Sequence, residues 1–230
     1  MPPVTIAQAD LARFGQRWTA LGRSLSRTPP ESSAQLGELF DKAVAQALAT
    51  MLGGVDIVKP KGRALIPSQP DCVEQGPVLV IGGVRSQQFD VGYRPDAVRF
   101  VFDSKTLNDT DSIRKNWQNM VNDLGTEATT VHSRFPYAVV AFMVILPGPA
   151  LMSAQESAII GTLERLSGRF GVGEPAHIAE VISLVVWDPA TGMIDPDVPD
   201  PSSSLRFEKF SQQVQRAYSS RYQGLRPHVD

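Results

Sequence analysis

The residues of this chain that could do chemistry together are Asp90, Asp103 and Lys105. They fall in the stretch from Gln88 to Lys105, QFDVGYRPDAVRFVFDSK, which reads as two alternating strands joined by a turn at Pro95-Asp96-Ala97. Phe89, Val91 and Tyr93 line one face of the first strand, and Val98, Phe100 and Phe102 one face of the second. Side chains alternate with period two, so these apolar sets are expected to share a core face. The same parity puts Asp90, Asp103 and Lys105 together on the opposite face, with Asp90 across from Asp103 or offset by one pair. Like charges so placed repel, and a divalent cation held between them removes the repulsion. Asp96 has the parity of the apolar face and follows a proline, an ordinary turn pair, so it is expected to be a turn residue rather than a ligand.

Two carboxylates and a lysine on one face suit metal-assisted hydrolysis of a phosphodiester. Hard carboxylates bind Mg²⁺, which keeps several waters and accepts phosphate oxygens as ligands. One or two such ions would activate water and stabilise the attacking and leaving oxygens, with Mn²⁺ expected to substitute. Asp90 and Asp103 are the expected main ligands, and the Ser104 backbone carbonyl could complete the shell. Lys105 would orient the attacking water and offset developing negative charge.

The pattern Asp…Asp-x-Lys on a hairpin resembles the PD-(D/E)xK nuclease superfamily, which includes type II restriction enzymes, Holliday-junction resolvases and many phage and repair nucleases. The thirteen-residue step from Asp90 to Asp103 is similar to that of archaeal resolvases, and Asp103-Ser104-Lys105 fits the (D/E)xK half. A second segment, Gly37-Glu38-Leu39-Phe40-Asp41-Lys42-Ala43-Val44, is similar to the Gly-x-x-Phe-Glu-x-x-Val start of many core helices in that superfamily. There the acid after Phe often helps to bind metal, so the resemblance points to Asp41 as a further ligand, with Glu38 as its fallback. Asp41 falls inside the apolar arc of its helix, where a carboxylate is costly unless paired or metal-bound. Pairing with an Arg or Lys at the helix edge is the competing expectation. The resemblance covers roughly residues 34–146. It implies an α/β fold with a restriction-endonuclease-like core, a central mixed β-sheet flanked by α-helices.

The elements that must position these residues can be read around them. Leu11, Phe14, Trp18, Leu21 and Leu25 recur at helical steps over residues 5–26, a stripe expected to pack on the core. A linker at Thr28–Ser33 leads to a second helix from about Ser33 to Leu52. Val55–Val58 reads as a short strand, followed by an irregular stretch to residue 76 that carries Lys59, Lys61 and Arg63, candidate DNA contacts. Val78–Val84 reads as the strand before the hairpin. A helix over 112–124 turns Ile113, Trp117, Met120, Val121 and Leu124 inward and presents Arg114, Lys115 and Asn119 outward as further candidate DNA contacts. Thr126–Arg134 reads as a loop, with Glu127 and His132 as accessory candidates. Tyr137–Leu146, bounded by Pro136 and Pro147, is expected to be a central strand. A helix over 153–169, a strand at Ala179–Trp187 and a helix over about 204–222 complete the order. The expected organisation is a single domain: an N-terminal helical extension (1–30), a catalytic core (34–146) and a C-terminal part (150–230) of helices, strand and loop.

Composition bounds this reading. The 230 residues are 42% hydrophobic and 20% charged, enough for one sizeable core. Cys72 is the single cysteine, which excludes an intrachain disulfide and a Cys-based zinc cluster. No apolar run approaches membrane-spanning length and no signal core opens the chain, so a cytoplasmic protein without membrane partners is expected. No Gly-Lys-Ser/Thr phosphate loop occurs, so no nucleotide cofactor is expected. The net charge of −2 gives no global basic field, yet residues 1–30 carry four Arg against one Asp. Local basic patches suffice for DNA, which needs phosphate contacts only over the footprint. The expected activity is that of a Mg²⁺-dependent DNA endonuclease, most like a type II restriction enzyme cutting double-stranded DNA. Cutting both strands of a palindrome would favour a two-fold homodimer. The alternatives are a junction-resolving, repair or other defence nuclease of the same fold, and a catalytically silent DNA-binding module.

Overall fold

The computed structural model describes residues 1–20 and 30–225, with side chains outside 17–33. Six strands form one mixed sheet in chain order: β1 (Ile57–Val58), β2 (Val73–Ile81), β3 (Ser86–Tyr93), β4 (Phe100–Thr106), β5 (Val139–Pro147) and β6 (Val181–Trp187). β2, β3 and β4 make an antiparallel meander, β1 runs parallel to β2, and β4, β5 and β6 are mutually parallel. Helices α1 (Gln8–Ala20), α2 (Pro30–Met51) and α5 (Phe210–Tyr222) cover one face, and α3 (Thr110–His132) and α4 (Ser153–Leu166) the other. α3 and α4 are the crossovers of the parallel pairs β4–β5 and β5–β6. Successive right-handed crossovers in one direction must lie on one face, as these do. Among the described residues no helix is long and apolar enough to cross a membrane.

Burial on both faces explains the apolar strands. In β5, Val139, Ala141, Met143 and Ile145 face the α2 layer, while Val140, Phe142, Val144 and Leu146 face the α3 layer. No position is left for a polar side chain, so the run reads as continuous rather than alternating. α1 turns Leu11 into the α2-side core, as expected of its stripe. Leu21 and Leu25 lie outside the described residues.

Three expectations about the elements are corrected. β2 begins at Val73, not Val78, because the chain carries Gly76 and Pro77 through a bulge between Gln75 and Val78. Gly76 takes φ +125°, a conformation other residues rarely adopt, and Pro77 stands where no ladder bond requires its N–H. α3 runs on through Gly125 to His132, since Ala128 and Val131 continue the buried stripe of Ile113, Met120 and Leu124. Most of the loop expected at Thr126–Arg134 is therefore helix. Finally, the hairpin does not keep one apolar face. Val91, Tyr93, Phe100 and Phe102 do share the α2-side core, in the register Val91↔Phe102 and Tyr93↔Phe100. Phe89 and Val98 belong to the α3-side core. Val98 precedes β4 and escapes strand parity, and Phe89 lies opposite the end of the β2 bulge, beyond the last β3–β4 pair.

Aromatic contacts seat the α2 layer on β4. Phe40 meets Phe207 edge-on, with centroids 6.3 Å apart, and Phe102 meets Phe210 in the same manner at 5.9 Å. Burying each such side chain contributes roughly 1.5–3 kcal/mol. Phe40 thereby fixes the turn of α2 that carries Asp41.

Candidate active site

β3 and β4 pair from Tyr93↔Phe100 to Val91↔Phe102, and there the ladder stops. The next pair would set Asp90 against Asp103. Instead the Asp90 carboxylate enters the gap, where its Oδ2 accepts the Ser104 backbone N–H at 3.0 Å and the Ser104 hydroxyl at 3.3 Å. A side chain thus takes the bond that a neighbouring backbone would have taken, and the strands part at the carboxyl end of β4. The N–H and C=O of an extended residue point to the same edge, so the Ser104 carbonyl faces this gap as well.

The two acids and the lysine do not all share one face as expected. Asp103 and Lys105 point toward α3, Ser104 points toward α2, and Asp90 lies between. Beside Ser104 stands Asp41 of α2, whose carboxyl is a hydrogen-bond neighbour of both Ser104 and Asp90. Asp90 and Asp103 are hydrogen-bond neighbours in turn. The Lys105 ammonium contacts the Asp103 carboxylate and donates to Glu127 Oε1 of α3 at 2.8 Å. Gln87 of β3 donates to the same Glu127 oxygen at 3.0 Å. Gly37 lets α2 approach this closely: a Cβ there would stand 2.9 Å from the Ser104 Oγ.

The electrostatics follow from burial. Withdrawal from water, and then the charge of Asp90, push Asp41 up to about 8, although its hydrogen bond to Ser104 opposes the shift. Burial lifts Asp103 well above the usual carboxylate range against the pull of Lys105, and Asp90 adds to the rise. Burial raises Glu127 too, again against Lys105. Burial also disfavours the Lys105 charge, but Asp103 and Glu127 outweigh it and hold the lysine above its ordinary value. Asp41 Oδ1 and Glu127 Oε2 are buried without a hydrogen-bond partner. Such an atom costs about 1–3 kcal/mol unless something satisfies it.

The oxygen donors of Asp41, Asp90, Asp103 and the Ser104 carbonyl are the hard set that suits Mg²⁺ or Mn²⁺, and the orphaned Asp41 oxygen fits a cation there. Among the described residues no three His, Cys, Asp or Glu side chains already stand as a formed cage. The carboxyls meet in pairs, Asp41 with Asp90 and Asp90 with Asp103, and the Lys105 ammonium stands against Asp103 where a cation would otherwise neutralise the charge.

The remaining candidates lie elsewhere. Glu38 is exposed and pairs with Lys42 at 3.1 Å, so it is not the ligand fallback. Among the described residues no ion pair reaches Asp41, and the expected competition from a basic partner is absent there. Asp96 is a turn residue held by Arg99 and the Ala97 N–H. His132 is buried away from the carboxylates: its ring nitrogens meet the Ala176 carbonyl at 2.9 Å and Glu180 at 3.1 Å. Glu180 also holds Arg169 and Arg221, so His132 ties the end of α3 to the start of β6 and is withdrawn as an accessory residue. Lys59, Lys61 and Arg63 are exposed on the β1–β2 connection. Arg114 and Lys115 are exposed on α3 and both reach Asp111, and Asn119 is exposed one turn on. Gln87 was not foreseen. It precedes Phe89 by two residues on a strand, and Phe89 faces α3, which is the signal that would have found it. Compared with known proteins, the chain matches no family model, no curated protein and no solved structure.

Proposed function

We propose that this protein is a Mg²⁺-dependent DNA endonuclease with a restriction-endonuclease-like core, cutting duplex DNA as type II restriction enzymes do. The observation that carries the reading is the parting of β3 and β4 by Asp90. It gathers Asp41, Asp90 and Asp103 beside a charged lysine, each from a different position on the scaffold. A buried carboxylate without a basic partner, such as Asp41, is costly to the fold, and its chemistry suits a cation and phosphate site.

Asp90 and Asp103 would hold the ion, with Asp41 and the Ser104 carbonyl supporting them. Mn²⁺ would take the place of Mg²⁺. A divalent cation bound there supplies a Lewis acid for the phosphate and makes attacking water more acidic. Lys105 keeps its proton and offers a fixed ammonium to a non-bridging phosphate oxygen or to the attacking water. Glu127 and Gln87 set where that ammonium stands. Lys59, Lys61, Arg63, Arg114, Lys115 and Asn119 are exposed and would meet the DNA backbone, each adding salt-sensitive affinity. Cutting both strands of a palindrome would call for a homodimer.

The test is incubation of the purified protein with supercoiled plasmid, linear phage DNA, a four-way junction and single-stranded DNA, each with Mg²⁺ or EDTA. Discrete fragments from linear duplex that require Mg²⁺ are the expected result. A Mg²⁺-dependent smear, or selective cutting of the junction, would replace restriction by a resolving, repair or defence role. Binding with no cleavage of any substrate would leave a silent DNA-binding module. Gly37→Ala is expected to lower cleavage roughly ten- to a hundredfold by displacing the Ser104 hydroxyl from Asp90, with little change in melting temperature. Unchanged cleavage in that variant would show that the close approach of α2 is dispensable.

A further inference from the structure

We propose that Glu127 is a positioning residue that keeps the Lys105 ammonium in the cleft when a divalent cation occupies Asp103. The inference rests on the reading of this site as a cation centre. Lys105 touches two carboxylates, Asp103 on its own strand and Glu127 on α3. A cation arriving at Asp103 would meet the ammonium at the same carboxylate, and the two charges repel. An ammonium has three donors and no acceptor, so it needs a second anion if it is to stay. Glu127 is that anion. Its side chain is only 4% exposed, its Oε1 is held by Gln87 at 3.0 Å, and its Oε2 is buried with no partner. Gln87 comes from β3 and Lys105 from β4, so Glu127 reads both sides of the gap in which Asp90 sits. Without Glu127, Lys105 would rest on Asp103 alone and compete with the cation for it.

The experiment is calorimetric titration of Mn²⁺ into the wild type, Glu127→Ala, Glu127→Gln, Lys105→Ala and the double variant Lys105→Ala/Glu127→Ala, each first shown to melt cooperatively. Glu127→Ala is expected to weaken Mn²⁺ binding about tenfold, within the range seen when residues that orient ligands are removed. Glu127→Gln keeps an acceptor for Lys105 and should weaken it less. Glu127 also neighbours Asp103 itself, so in the Lys105→Ala background removing Glu127 should weaken binding far less than in the wild type, because the competitor is gone. Equal weakening in that background would make Glu127 a direct ligand and overturn the proposal, as would wild-type affinity in Glu127→Ala. A folded wild type that takes up no Mn²⁺ would overturn the cation centre itself, and this inference with it.

Discussion

Asp103→Asn is expected to lower Mg²⁺-dependent cleavage by roughly a hundred- to a thousandfold while melting no lower than the wild type. Asn keeps the shape of the side chain and an oxygen for Lys105 to donate to, but it removes a charge that burial disfavours. Lys105 retains Glu127 as its counter-ion, so no buried cation is stranded. Asp41→Asn carries the argument further. Asp41 has no basic partner among the described residues, its Oδ1 is orphaned, and Asp90 repels it. Neutralising it should stabilise the fold by about 1–2 kcal/mol, or roughly 2–8 °C for a chain of this size, and slow cleavage less than Asp103→Asn does. A carboxylate kept for the fold behaves in the opposite way, losing stability on substitution. Cleavage and melting measured on the same preparations decide it. An Asp103→Asn protein that melts far lower yet still cuts would contradict the assignment.

In EDTA the protein is expected to become less stable as pH rises from about 4 to about 8, and Mn²⁺ is expected to reverse this trend. Asp41 is pushed up to about 8 in the folded chain, while the unfolded carboxyl keeps its ordinary value of 3.8. Folding therefore takes up a proton between these values. The stability is fully present on the acid side of the window and is lost as pH rises through it, by up to about 1.4 kcal/mol per pH unit. Asp103 and Glu127 shift in the same direction and add to the slope. Glu180 shifts the other way, so its contribution is lost only as pH falls through and below the acid edge of this window. Lys105 is raised and loses its contribution only at strongly alkaline pH. A divalent cation binds the ionised carboxylates and displaces their protons, so its stabilisation grows with pH. Melting curves between about pH 5 and about pH 8, with EDTA or with Mn²⁺, should show almost no effect of the ion at the acid end and several degrees at the alkaline end. A melting temperature that ignores pH in EDTA, or an effect of Mn²⁺ that does not depend on pH, would sink the cation site.

Much of this arrangement is legible in the sequence. The run Tyr137–Leu146 announced a central strand because no polar side chain interrupts it, and β5 is indeed buried on both faces. The α/β class is what the resemblance implies, and the order of strands and amphipathic helices agrees with it. Asp103 and Lys105 share a face by simple parity, and they do touch. Parity failed at Phe89 and Asp90 because it assumes an unbroken ladder. The ladder breaks there, after the β2 bulge at Gly76-Pro77, and Asp90 bonds to a backbone rather than facing a neighbouring side chain. The extent of α3 was missed because Gly125 resembles a helix stop, whereas packing of Ala128 and Val131 carries the helix past it. That continuation brings Glu127 to Lys105 and carries His132 away to Glu180, a distinction that residue types alone do not reveal.

The most direct test of the cation-dependent nuclease is linear duplex DNA incubated with the wild type and with Asp103→Asn, each in Mg²⁺ and in EDTA. The expected result is cutting by the wild type in Mg²⁺ alone. Cutting that survives in EDTA or in Asp103→Asn, or a folded wild type that cuts under neither condition, would contradict it.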